Sequence, residues 1–424
     1  MYIKPLILLL LFFAITPNLG FFTVPSFLII ASVLILMFVN TYFLRANINV
    51  TRNSLNSVIP YIFLILLFYS IIYYGGLYQS KNSIIVGYYI FGTFILMSFL
   101  RFIVFKKSPT LLLIIAVYIS ISFWTILNSP HPTVDTFTVL KEAPLMLLNG
   151  ENPYASTFTQ VYPQVKPDYY NYLPFSFFYA VPFVLIFSDP RYMIIFSNLI
   201  SVLIFFKLFG NTKHKQMLNL FILTFLFLPR SFYMLEHVYL DPVIFSFFLL
   251  FIYFFIKKQK AKISYFFLGL FFSFKQPPIL ALPFFFRNKK FTSGLLNMSN
   301  SLFFLFPLSL PVLYLFLNKN AFIEDVFTGL NPAKITSPIS SSLTLPTFLS
   351  SIAFPSSLIY LAGLILLLFS FIYIFKSKTS LVFKITLFFL CFNFFTYHAF
   401  LNSYYLIAQF LLFDIATDYF GLKT

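Results

Sequence analysis

Only eleven of the 424 residues are carboxylates, and three of these, Asp135, Glu142 and Glu151, fall in one polar stretch, PTVDTFTVLKEAPLMLLNGENPYA (132–155). A carboxylate there can take a proton from an attacking hydroxyl, or it can serve a helix terminus. Asp135 stands where TFTVLKEAPLMLL begins a helical pattern, so a general base and a first-turn cap both fit it. Glu142, seven residues on, returns to the same helical face two turns later, where it can assist Asp135 or pair with Lys141 in solvent. Gly150-Glu151-Asn152-Pro153-Tyr154 reads as a helix stop and turn. Tyr154 then either offers a ring face to a ligand or packs.

A second group, Glu236, His237 and Asp241, lies in PRSFYMLEHVYLDP (229–242). Its spacing does not put all three on one helical face, although an irregular loop can bring Glu236 and Asp241 around a divalent cation. Asp241-Pro242 also suits the start of the next helix. Lys275, in FSFKQPP, is flanked by apolar sequence, and a lysine at membrane depth costs about 2.5–3.5 kcal/mol on insertion scales. Such a lysine faces a cavity, a partner or an anionic ligand. Arg230 suits the same ligand or a neighbouring glutamate. His237 and His398 are polar loop residues that can join a site. The one cysteine, Cys391, excludes an intrachain disulfide, and neither a phosphate-binding P-loop nor a dinucleotide-binding glycine triplet is present.

The elements that must position these residues are apolar helices. Sixty per cent of the chain is hydrophobic and nine per cent charged, with mean hydropathy +0.91. Apolar runs such as VPSFLIIASVLILMFVNTYFL (24–44) recur without the alternation of a membrane barrel. The expected fold is all-α, a polytopic bundle of about 12–14 transmembrane spans in the cell membrane. The net charge of +17 does not point to nucleic acid, because the basic residues sit in short gaps between apolar runs. Arg45/Arg52, Lys106/Lys107, Lys213/Lys215, Lys257–Lys262, Arg287–Lys290 and Lys376/Lys378 mark one face, cytoplasmic by the positive-inside rule. The acidic loops then fall on the other face.

In this threading the external loop 129–190 carries short juxtamembrane helices, with 173–188 lying along the outer surface. ISYFFLGLFFSFKQPPILALPFFF (263–286) is bounded by basic clusters on both sides. Each arm, at about 12 residues and 1.5 Å per residue, is too short for a hydrocarbon core of about 30 Å. A broken hairpin with Lys275-Gln276-Pro277-Pro278 at its tip follows.

Asp135, Leu147-Leu148, Gly150, Asn152-Pro153-Tyr154 and, 18 residues later, Tyr172-Leu173-Pro174 together resemble the first extracytoplasmic loop of polyprenyl-phosphate-dependent mannosyltransferases, integral-membrane enzymes of the C-type glycosyltransferase fold. FSFKQPPILALPFFF is similar to that family's broken Lys-Pro segment, and YHAFLNSYYLI (397–407) to its last external loop. The resemblance covers roughly 130–410 and divides the chain into added N-terminal helices, 1–105, and a glycosyltransferase-like core, 106–424. It departs from the pattern where Glu236-His237 stands in place of a Gly-Gln pair.

The resemblance implies an inverting transfer of mannose or another hexose. The donor is a polyprenyl-phosphate sugar, and the acceptor a lipid, glycan or protein on the extracytoplasmic side. Asp135 and Glu142 would be catalytic. Lys275, Arg230, Glu236, His237, Asp241, Tyr154 and His398 would bind substrate. Whether a divalent cation takes part stays open, and a transporter or flippase of a lipid-linked or small anionic solute is the competing class.

Overall fold

A computed structural model describes residues 3–45, 58–161, 167, 169–210, 214–327 and 341–422. Arg52, Lys213 and Lys423 of the basic clusters, and parts of the predicted outer loops 129–172 and 318–356, lie outside the described residues.

The architecture is all-α, with no strand among the described residues beyond one isolated bridge, Phe21 to Ser342. The first five helices are α1 (Ile3–Ile15), α2 (Val24–Arg45), α3 (Ile59–Ile72), α4 (Lys81–Phe105) and α5 (Leu111–Asn128). The polar segment after α5 supplies α6 (Asp135–Leu148) and α7 (Phe175–Phe187), followed by α8 (Tyr192–Phe209), α9 (Lys215–Leu226), α10 (Ser231–Glu236) and α11 (Asp241–Ile252). The hairpin is α12 (Ala261–Phe272), a 3-10 turn Pro277–Ala281 and α13 (Leu282–Phe286). After it come α14 (Lys289–Leu295), α15 (Met298–Leu317), α16 (Lys319–Phe327), α17 (Leu345–Ser351), α18 (Ser356–Lys376), α19 (Leu381–Phe395) and α20 (Leu401–Phe420).

Six helices, α2, α4, α5, α8, α15 and α18, are long and apolar enough to cross a membrane. Others, such as α1, α9 and α19, are apolar but shorter. Outward faces remain apolar, as at Leu112, Phe316 and Phe369, which suits hydrocarbon rather than water as the surrounding solvent. The break in the hairpin follows from Pro277 and Pro278, which remove two backbone donors directly after α12 has ended at Ser273. Gly269 lets α12 approach α15 closely, because any Cβ there would run into the Phe304 carbonyl.

Residues before 105 share one apolar core with the rest of the chain, α1 packing on α2, α3 and α20. The two ends of the bundle differ in chemistry. At one end Lys4 meets Asp414 at 2.5 Å and Asp418 at 2.7 Å, and the Arg287 guanidinium donates to the Phe375 and Ser377 carbonyls. At the other end Leu401 N donates to Leu19 O, Leu343 N to Ala399 O and Arg230 to Thr16 O. Leu401 and Asp418 are 17 positions apart on α20, about 25 Å at 1.5 Å per residue. Loops predicted for opposite faces are thereby gathered at opposite ends.

Candidate functional site

Asp135 is the first residue of α6, half-buried, with Val134 rather than Asp135 as the N-cap. One carboxylate oxygen accepts the Thr136 amide at 2.7 Å and the other accepts the Tyr169 hydroxyl at 3.1 Å. The helix start favours a negative charge at this position, and the two hydrogen bonds orient the carboxylate while it stays partly accessible.

Lys275 comes to the same place from the hairpin tip. Its ammonium donates to Asp241 Oδ2 at 2.9 Å and lies 5.7 Å from the centre of the Tyr172 ring. Asp241 starts α11, is buried, and has Pro242 directly after it, so a helix start and an ion pair use the same residue. The tip is fixed from behind: Leu173 N donates to Phe274 O, and the Gln276 amide donates to the Asn171 and Val326 carbonyls. Segment 169–173 is further anchored where Asp325 accepts the Tyr170 amide at 2.7 Å.

His398 closes the group from the loop before α20. Its ring edge is exposed and packs on Phe400. Crowding by protein lowers its pKa, the Lys275 charge lowers it further, and the Asp135 charge works the other way. Burial likewise raises the Tyr172 and Tyr239 hydroxyls, with Asp135 adding to the rise in both and Asp241 in Tyr172. The charges of Asp135 and Asp241 both reach Tyr172, those of Asp135 and Lys275 both reach His398, and Lys275 pairs with Asp241, so the four groups lie in one neighbourhood beside Tyr172 and Tyr239. They come from four separate segments of the chain.

Other expected site residues have different roles. Glu236 is fully buried, and its carboxylate accepts the Leu77 amide at 2.5 Å and the Tyr78 amide at 3.2 Å. Burial raises its pKa, while the two amides and nearby Arg191 oppose that rise. It fastens the 73–80 loop, while Asp241 pairs with Lys275, so each of the two acids has a partner of its own. Among the described residues no group of three or more His, Cys, Asp or Glu is placed to hold a metal ion.

His237 is buried between Tyr233 and Tyr239, with Nδ1 3.1 Å from the Tyr233 carbonyl, and desolvation pushes its pKa down to about 4. It is a neutral packing histidine rather than a substrate contact. Tyr154 also corrects its expected role: it is buried against Tyr170, Phe177, Tyr314 and Phe322, and its hydroxyl donates to Tyr172 O. No ring face remains for a sugar. Arg230 donates to Thr16 O at 3.2 Å and lies over Tyr73, closing the end of α1 rather than joining Lys275. Glu142 accepts the Thr159 amide at 2.9 Å and so holds the strand of loop that returns over α6.

Sequence reasoning missed Tyr169, Tyr239 and Tyr78 because 28 tyrosines and 66 phenylalanines give no single aromatic residue any prominence. The one available signal was position, since these tyrosines lie in the same polar segments as the acids. Comparison with family models, with curated proteins and with solved structures finds no match to this chain.

Proposed function

We propose that the chain is a multi-pass membrane glycosyltransferase that moves a hexose from a polyprenyl-phosphate donor to a hydroxyl acceptor on the extracytoplasmic side. The observation that carries this reading is the convergence of Asp135, Lys275 with Asp241, and His398 at the bundle end away from the basic clusters. An anionic lipid headgroup and a polar acceptor meet at such an end, where hydrocarbon gives way to water.

In this reading Asp135 removes the acceptor hydroxyl proton as the oxygen attacks the anomeric carbon. The lipid phosphate leaves from the opposite face, so the anomeric centre inverts. Lys275 stabilises the phosphate as it takes up charge, and Asp241 holds the ammonium in place. Tyr239, part-exposed, presents a ring edge suited to a sugar, while buried Tyr172 backs Lys275. The about 12–14 spans, the cytoplasmic placement of the basic clusters and the choice of mannose belong to the same proposal.

Transport is less well supported, since carriers concentrate their charges near the midplane. This cluster lies at one end. The test uses membrane vesicles with a labelled polyprenyl-phosphate hexose. Asp135→Asn, at normal abundance, lowers transfer by at least about a hundredfold, the range for a positioned general base. Full transfer by this variant would remove Asp135 from the mechanism, and failure of the unaltered protein to transfer any lipid-linked hexose would remove the function.

A further inference from the structure

The 73–80 loop, which joins α3 to α4, is not part of the proposed site, yet it reaches both sides of Asp135, one directly and one through His237. The Tyr78 hydroxyl donates to Thr133 O at 2.8 Å, two residues before Asp135. The Tyr78 ring packs on His237, with centres 5.4 Å apart. The His237 carbonyl in turn accepts the Thr136 hydroxyl at 2.5 Å, one residue after Asp135. Tyr78 is itself fixed by Glu236, whose buried carboxylate accepts the Tyr78 and Leu77 amides.

The loop is shaped to receive that carboxylate. A Cβ at Gly76 would occupy the space of the Glu236 carboxyl group, so only glycine allows the backbone to wrap it. Among the described residues Glu236 has no ion-pair partner other than the neighbouring His237, which burial keeps neutral at pH 7. Its stabilisation comes first from the two backbone amides, with Arg191 and Ser129 adding to it. A buried carboxylate bound in this way is costly to disturb, which suits a fixed strut rather than a moving part.

We propose that Glu236 and Tyr78 form a positioning strut, by which the N-terminal helices set the direction of the Asp135 carboxylate. Neither residue touches the reacting atoms. Thr133 and Thr136 bracket Asp135, so tying one to the Tyr78 hydroxyl and the other to the residue beneath the Tyr78 ring restricts the first turn of α6. The remaining ligand of Asp135, the Tyr169 hydroxyl, then selects one orientation of the carboxylate. This inference rests on the reading of Asp135 as the reacting group, but its primary test does not.

The experiment uses the full chain in lipid nanodiscs. Asp135→Cys introduces a thiol at the site, and the sole native cysteine, Cys391, is buried in α19. The labelling rate by a charged maleimide is compared between Asp135→Cys and Asp135→Cys/Tyr78→Phe, which removes one hydroxyl and keeps the ring. Loss of one hydrogen bond corresponds to a change of about three- to tenfold in this rate. Glu236→Gln, which keeps an acceptor oxygen, gives a smaller change in the same direction, and Gly76→Ala a larger one.

Equal labelling rates in the Tyr78→Phe pair, with both proteins folded by thermal melt, would overturn the strut. So would a rate change of the same size from Tyr73→Phe, which lies in the same loop region without contacting Thr133 or His237. In the vesicle assay Tyr78→Phe lowers kcat with KM unchanged. Should Asp135→Asn transfer normally while the labelling difference persists, the strut stands and the catalytic assignment of Asp135 fails.

Discussion

Replacing Lys275 by Met separates the structural and chemical roles of its ion pair. Asp241 is 2% exposed and its partner ammonium, at 2.9 Å, has 15% of its side chain exposed. Breaking a buried pair from one side costs about 3–5 kcal/mol, because the remaining charge is left without a partner. Partial solvent access to Lys275 places the single variant near the lower end, about 3 kcal/mol. Lys275→Met/Asp241→Asn removes both charges, leaves no orphan, and returns to within about 1 kcal/mol of the unaltered protein. Stability is read by thermal unfolding in detergent and transfer by the vesicle assay. On the proposed mechanism both variants lose transfer by at least about a hundredfold, since the leaving phosphate would have lost its cation. Recovery of transfer in the double variant would refute the reasoning: Lys275 would then serve only to neutralise Asp241. Equal stability of the single and double variants would refute the pair as a buried one.

Other perturbations report on the scaffold. His237, with its pKa pushed down from 6.5 to about 4, binds no proton in the folded protein between these values while the unfolded chain does. Stability therefore falls as pH drops from 6.5 towards 4, by about 3 kcal/mol in all, and is fully present above 6.5. The check is the difference in unfolding free energy between the native protein and His237→Gln across that range, in which the opposite contribution of Glu236 cancels; a flat difference would count against a buried neutral imidazole. Gly269→Ala forces α12 away from the Phe304 carbonyl and lowers stability by about 1–3 kcal/mol, visible in the melting temperature. Lys4→Met leaves Asp414 buried beside Asp418 without its cation, costs about 3–5 kcal/mol and reduces membrane abundance on a quantitative blot.

The helices and their ends were legible in the chain because they depend on local features. The run 24–44 is observed as Val24–Arg45, and the two arms of 263–286 as Ala261–Phe272 and, after a 3-10 turn, Leu282–Phe286. An apolar segment in hydrocarbon satisfies its backbone only as a helix, so hydropathy and length are nearly sufficient. The broken hairpin was equally legible, since Pro277-Pro278 interrupts any helix regardless of its neighbours.

Glu236 and Asp241 show where that reasoning ends. Five residues apart and of the same chemistry, they read as one candidate cation site, yet one meets the 76–78 backbone and the other meets Lys275. Tyr154 lies in the motif that carries the family resemblance and is nonetheless buried among four aromatic rings.

By itself the sequence determined the all-α class, the hairpin tip and the separation of basic from acidic loops, each a consequence of periodicity, proline or charge placement over a few residues. Only the tertiary structure decided which acids meet a cation, which meet amides, and that a tyrosine of the 73–80 loop braces Asp135. Those pairings join residues tens to hundreds of positions apart. Their energies depend on burial and on distances of about 3 Å, which are fixed by helix packing rather than by neighbours in the chain.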